Sequence, residues 1–147
     1  MNVVFISPHF PEYYHNFCSR LKDRGVNVLG VGDCPYDIIS DDTKNSLTEY
    51  YYVGSLENYD EVYRACAYFS SHYGKIDWIE SENEYWLELE ATLRRDFNVT
   101  TGPHIQDMRW MKFKSAMKEV YKSAGLKVAD YIKLDTLDEA LEFTKKN

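Results

Sequence analysis

Residues 3–31 read VVFISPHFPEYYHNFCSRLKDRGVNVLGV, and this stretch decides the fold. Val3-Val4-Phe5-Ile6 is a continuous β-branched and aromatic run, the pattern of a strand buried on both faces. A proline-bounded loop follows, Ser7-Pro8-His9-Phe10-Pro11. Tyr14, Phe17, Cys18 and Leu21 then recur at i, i+3, i+4 and i+7, which predicts an amphipathic helix, and Gly25 is placed to stop it. Val26–Val31 is a second apolar run. Strand, helix and strand within 29 residues predict a βαβ unit, and hence a parallel sheet.

The alternation continues downstream. Tyr50–Val53 predicts a third strand. Asn58 is a candidate N-cap with Glu61 as its capping-box partner, opening a helix striped by Tyr59, Val62, Cys66, Phe69 and Tyr73 and ended by Gly74. Ile76–Ile79 predicts a fourth strand, and Trp86, Leu89, Leu93 and Phe97 stripe the next helix. The fold class that follows is α/β: an open, parallel, Rossmann-like sheet flanked by helices.

Gly102-Pro103 breaks this pattern, and the charge changes sign there. Before Pro103 there are 8 Lys and Arg against 17 Asp and Glu; from Pro103 onward there are 9 against 7, within an overall charge of −7. The reading therefore divides the chain into 1–102 and 103–147. In the second part, Phe113, Ala116, Met117, Val120 and Ala124 stripe a helix closed by Gly125. Lys127–Leu134 predicts a single strand, and Thr136 with Glu139 predicts a capped final helix. One strand and two helices make a poor independent core, so this tail reads as the beginning of a longer domain.

The length of 147 residues suits one ordinary domain, and 44% hydrophobic with 16% aromatic residues excludes a largely disordered chain. Apolar runs are too short for a membrane span, and no basic-then-apolar leader pattern opens the sequence. The acidic balance argues against general nucleic-acid binding. Cys18, Cys34 and Cys66 form no CxxC pair and read as reduced thiols, which places the protein in the cytoplasm.

In open parallel sheets, ligands bind beyond the carboxyl ends of the strands. Three loops occupy that end. The first carries Ser7 and His9 as candidates for a polar ligand; it lacks GxGxxG, which disfavours a standard dinucleotide site. The second carries Asp33, able to hold a hydroxyl or a cation or to serve as a turn residue. The third carries Glu80, Glu82 and Glu84; like charges this close are tolerated in solvent or gathered around a cation or an amine, and Glu82 is the candidate there. His15, His72 and His104 have no partners at metal-ligand spacing, so no metal site is expected. Lys114, Lys118 and Lys122 form an i, i+4, i+8 ridge, either a solvated helix face or a phosphate-binding one.

Taken together, Ser81-Glu82-Asn83 after the fourth strand, Thr101-Gly102-Pro103 before the basic helix, and Lys114 with Ala124-Gly125 beyond it resemble the front end of an ATP-grasp ligase of the biotin carboxylase and carbamoyl phosphate synthase branch. The resemblance implies a pre-ATP-grasp α/β domain over 1–102 and the start of the ATP-grasp fold over 103–147. It implies that Lys114 reaches an ATP phosphate, and that the acidic loop faces the active site. It further implies ATP-dependent activation of a small carboxylate to an acyl phosphate, attacked by an amine or another nucleophile, with ATP and Mg²⁺ as cofactors. Phe113 stands where the family often has an acidic residue, and the first loop is not glycine-rich. In the family, the second ATP lysine, the adenine-contacting hinge and the Mg²⁺ ligands follow the position of Asn147, so the chain reads as a fragment, inactive alone and binding ATP weakly.

Two other readings compete. Ser7-Pro8-His9-Phe10-Pro11 also resembles the first loop of two-domain glycosyltransferases, although Glu12-Tyr13-Tyr14 replaces the glycines expected there. A non-catalytic α/β binding module is the third reading. Phe113, Met117, Val120, Leu137, Leu141 and Phe143 read as apolar residues meant to pack on strands that the family places further on; burying each is worth about 1.5–3 kcal/mol, so they are expected to fold back on the first domain or to pair between copies as a homodimer.

Overall fold

A computed structural model describes residues 1–146. Its four strands, β1 (Asn2–Ile6), β2 (Asn27–Gly32), β3 (Glu49–Tyr52) and β4 (Trp78–Glu80), form one parallel sheet in the order β3-β2-β1-β4. The seven α-helices are α1 (His15–Lys22), α2 (Asp41–Ser46), α3 (Tyr59–Tyr73), α4 (Leu87–Asp96), α5 (Met108–Lys112), α6 (Lys114–Ser123) and α7 (Leu137–Lys146). The open parallel α/β sheet expected from the sequence is present. Among the described residues, no helix is long and apolar enough to cross a membrane.

All five residues of β1 are buried, as a central strand covered on both faces requires. Its alternating side chains feed two cores. Val4 and Ile6 join Leu29, Val31, Val62, Cys66, Phe69, Ile79 and Leu93 on the face covered by α3 and α4. Phe5 joins Val28, Cys18 and Leu47 on the other, where α1 and α2 lie. Burial pushes the thiols of Cys18 and Cys66 up to about 12, which makes both inert core residues.

The chain forms two compact units, Met1–Ile105 and the segment from Gln106 onward. In the second, α7 begins with the capping box the sequence predicts: Glu139 N–H donates to Thr136 Oγ1 at 3.3 Å, and Thr136 N–H donates to Glu139 Oε2 at 3.1 Å. The Asn58–Glu61 pair at α3 behaves differently. Asn58 Nδ2 donates to Glu61 Oε1 at 2.8 Å, but the other carboxylate oxygen takes Gly54 N–H instead of the Asn58 amide. Residues 127–134, expected as a strand, carry no regular secondary structure and pair with no strand among the described residues. A strand needs a ladder partner for its backbone groups, and the segment instead lies on α6: Tyr131 Oη donates to the Ser115 carbonyl at 3.1 Å, and Lys118 Nζ to that of Ala129 at 3.3 Å. Phe113, Val120, Leu137 and Leu141 are exposed.

Candidate functional site at the carboxyl end of the sheet

The strand order contains one reversal. From β1 the chain steps outward to β2 and then β3, and α3 carries it back across to β4 on the far side of β1. The crevice between the carboxyl ends of β1 and β4 is thus the topological switch point, where open parallel sheets bind ligands. The loops that border it are those beginning at Ser7 and Ser81.

These loops are joined. Tyr14 Oη donates to the Glu82 carbonyl at 2.5 Å, and the Tyr14 ring packs edge-on against Phe5 of β1 with centroids 6.0 Å apart. Glu82 has φ 55°, a left-handed conformation uncommon for a residue with a side chain. Both its amide and that of Ser81 donate to Glu80 Oε1, at 3.2 and 3.1 Å. Partial burial and the neighbouring Glu80 carboxylate raise the Glu82 carboxyl above its ordinary value. Glu82 is exposed on a backbone held by Tyr14 and Glu80, and it lines a cavity of about 170 Å³ with Val3, Phe17, Leu21 and Trp78 among others.

The other candidates divide by burial. Ser7 is inside: it is 5% exposed, its φ is 57°, and its hydroxyl donates to the Phe10 carbonyl at 3.2 Å. This arrangement shapes the proline loop and commits the hydroxyl's one proton to it. His9 is half-buried, with Nε2 3.4 Å from Asp33 Oδ1, so the structure brings those two together across the ends of β1 and β2. Burial holds His9 below its ordinary value, against the upward pull of Asp33, and the ring is neutral at pH 7. Since Asp33 only accepts, the ring proton belongs on Nε2. Nδ1 is buried without a hydrogen-bond partner. It faces Gly32, where a Cβ would come within 2.9 Å of it and would collide with the Tyr50 hydroxyl. That hydroxyl donates to the Cys34 carbonyl at 2.6 Å and fixes the loop after β2.

Lys114 is exposed at the first position of α6, and its N-cap is Phe113, which offers no side-chain acceptor. The lysine ridge is not uniformly free: Lys118 and Lys122 lie over the Tyr131 ring, at 4.6 and 5.2 Å from its centroid. A cavity of about 580 Å³ beside α6 is lined by Arg109, Ser115, Tyr131 and Lys133 among others, but not by Lys114. Among the described residues, no group of three His, Cys, Asp or Glu is placed to hold a metal ion.

Sequence reasoning missed Glu90 and Arg94, both fully buried on α4. Arg94 Nη2 donates to Glu90 Oε2 at 3.0 Å and to the Ile79 carbonyl; Nη1 donates to the Pro103 carbonyl at 2.8 Å. One side chain thereby covers the edge strand β4 and ties it to the Gly102-Pro103 turn. The signal was present in the spacing. Positions 86, 89, 90, 93, 94 and 97 form one helical stripe, and opposite charges at i and i+4 inside an apolar stripe can enter a core only as a pair.

No protein-family model matches the sequence, and comparison with curated proteins gives no match. Solved structures do match in fold. An L-amino acid ligase from Bacillus licheniformis aligns over 99% of this chain with TM-score 0.59 and 14% identity. The biotin carboxylase subunit of a pyruvate carboxylase aligns over 99% with TM-score 0.59 and 18% identity. The biotin carboxylase domain of a thermophilic 2-oxoglutarate carboxylase, in a structure with bicarbonate bound, aligns over 98% with TM-score 0.57 and 21% identity. This chain spans only 41%, 33% and 33% of those three chains. The fold is thus that of part of these ATP-grasp enzymes, as the resemblance implied.

Proposed function

We propose that this chain is the N-terminal part of an ATP-dependent carboxylate ligase of the ATP-grasp type, with its α/β domain over 1–102 and the start of the ATP-grasp domain over 103–147. The observation that carries the reading is the likeness to a ligase and two carboxylases over 98–99% of the chain, helical tail included. Such an enzyme activates a small carboxylate with ATP to an acyl phosphate, which an amine or another nucleophile attacks. Glu82 sits at the switch point with its side chain exposed, where a carboxylate can hold an ammonium group or orient a second reactant. His9 and Asp33 stand together at the neighbouring ends of β1 and β2 as a neutral imidazole and a carboxylate. Lys114, at an uncapped helix start, combines a point charge with backbone N–H groups that suit a phosphate oxygen. Mg²⁺ and the remaining ATP contacts belong to parts of the enzyme outside this chain. The glycosyltransferase and binding-module readings draw no support from the structures matched.

One exposed lysine–phosphate contact is worth at most about 1 kcal/mol, whereas micromolar affinity needs about 8 kcal/mol. Calorimetric titration of residues 1–147 with MgATP should therefore show no low-micromolar binding, and such binding would contradict the assignment of ATP contacts to other segments. The decisive test is carboxylate-dependent ADP release by the longer polypeptide that carries this chain. Lys114→Ala should lower its kcat by roughly 10²-fold, the scale of losing one donor to developing transition-state charge. Absence of carboxylate-dependent turnover, or full activity of the variant, would refute the reading.

A further inference from the structure

Ser81, Glu90 and Arg94 are all 0% exposed, and the ligase chemistry uses none of them. The Arg94 guanidinium stands between two carboxylates, with Nη2 3.0 Å from Glu90 Oε2 and 3.8 Å from Glu80 Oε2. The other Glu90 oxygen, Oε1, is hydrogen-bonded to Ser81 Oγ. Ser81 Oγ also accepts the Asn83 amide at 3.1 Å and lies 3.2 Å from the Asn83 carbonyl. A hydroxyl has one proton to donate and here faces two acceptors. With Glu90 ionised, that proton goes to the carboxylate, and the Asn83 carbonyl keeps only the Trp86 amide, 3.1 Å away. With Glu90 protonated, the carboxyl donates to Ser81 Oγ, and the hydroxyl closes onto the Asn83 carbonyl. The turn from Ser81 to Asn83 is then bonded in both directions around Glu82, the residue with φ 55°.

We propose that Glu90 is a positioning residue for the acidic loop: its protonation state, relayed through the Ser81 hydroxyl, sets how tightly the turn carrying Glu82 is closed. The charged groups acting on Glu90 are Glu80 from β4 and Arg94 from its own helix. One guanidinium neutralises one carboxylate. Glu80 is 20% exposed and carries the negative charge at less desolvation cost than the sealed Glu90. Burial and Glu80 accordingly push Glu90 up to about 7, against the opposing pull of Ser81 and Arg94, so the relay switches near neutral pH. The relay concerns the conformation of this loop and holds whether or not the ligase reading does.

The test is a ¹H–¹⁵N NMR titration of the 147-residue chain between pH 5.5 and 8.5, following the Glu82 and Asn83 amides. Both should shift with a midpoint near 7. Glu90→Gln retains a donor toward Ser81 and should hold both amides near their low-pH positions with no midpoint. Ser81→Ala removes the relay and should cut the amplitude at both amides to under a third. It also decides the matter should Glu90→Gln fail to fold. Amides that do not move in the native chain, a midpoint that survives Glu90→Gln, or an undiminished amplitude in Ser81→Ala would each overturn the proposal.

Discussion

Gly102→Ala should destabilise the first unit far more than the same change at Gly25, and the difference comes from Arg94 alone. Both glycines have left-handed backbones, φ 75° and 76°. An added Cβ at Gly25 meets nothing within 4 Å, whereas at Gly102 it would lie 2.9 Å from Arg94 Nε and 3.1 Å from Cζ. A flexible arginine would yield at little cost. This one is pinned: Nη1 is tied to the carbonyl of the residue next to Gly102, and Nη2 to Glu90 and to Ile79. An alanine in the left-handed region costs about 1–2 kcal/mol, offset by about 0.4–1 kcal/mol from the stiffer unfolded chain. Gly25→Ala should therefore cost on the order of 1 kcal/mol. Overpacking against Arg94 adds about 1–3 kcal/mol, for a total of roughly 2–4 kcal/mol at Gly102. The assay is equilibrium urea unfolding. With a slope of about 1–3 kcal/mol per molar, the Gly102→Ala midpoint should fall roughly 1 M below that of Gly25→Ala. Coincident midpoints would show that Arg94 moves freely, and would refute the pinned network.

Two further predictions concern the same unit and the tail. Glu90 binds its proton more tightly folded than unfolded, so between about pH 4.5 and 7 the folded state holds the extra proton and stability falls as pH rises, by a total on the order of 3 kcal/mol. His9, held below its ordinary value, contributes the opposite slope on the acid side of 6.5; the difference between native and Glu90→Gln unfolding curves isolates the Glu90 share, and curves that run parallel across this range would contradict it. In the tail, Thr136→Ala removes one half of the α7 capping box and should cost that helix about 1 kcal/mol. Amide exchange in its first turn should quicken roughly fivefold, and unchanged exchange would mean the cap contributes nothing.

Much of the fold was legible because parallel strands buried on both faces advertise themselves as apolar runs, and helices between them as 3.6-residue stripes. All four strands are read within two residues of their observed bounds, since the runs at Val3–Ile6 and Val26–Val31 have no other use in a chain this size. The missed helix α2 is short and polar, Asp-Asp-Thr-Lys-Asn-Ser, with only Thr43 and Ser46 buried. No apolar stripe marks it, and its start is set by Ser40, whose hydroxyl accepts the Thr43 amide at 3.2 Å. The segment at 127–134 has strand-like residues, but pairing is a property of two chain segments, and composition reports only one of them.

The candidate site was legible in position and not in charge. The topology rule places the loops at Ser7, Asp33 and Glu82 on one end of the sheet, and they are there. A count of acidic residues shows like charges close together at Glu80, Glu82 and Glu84. The structure commits Glu80, together with the buried Glu90 that this count leaves out, to one guanidinium that the sequence shows ten or more residues downstream of the loop. Glu80 also takes the Trp78 indole N–H at 3.2 Å besides two loop amides. The loop is therefore stiffened by carboxylates facing inward, and it presents Glu82 and Glu84 outward. That inversion matters for function. A freely repelling cluster would attract any cation loosely, whereas a carboxylate on a bonded turn, with Tyr14 holding its carbonyl, can favour one ligand geometry over another.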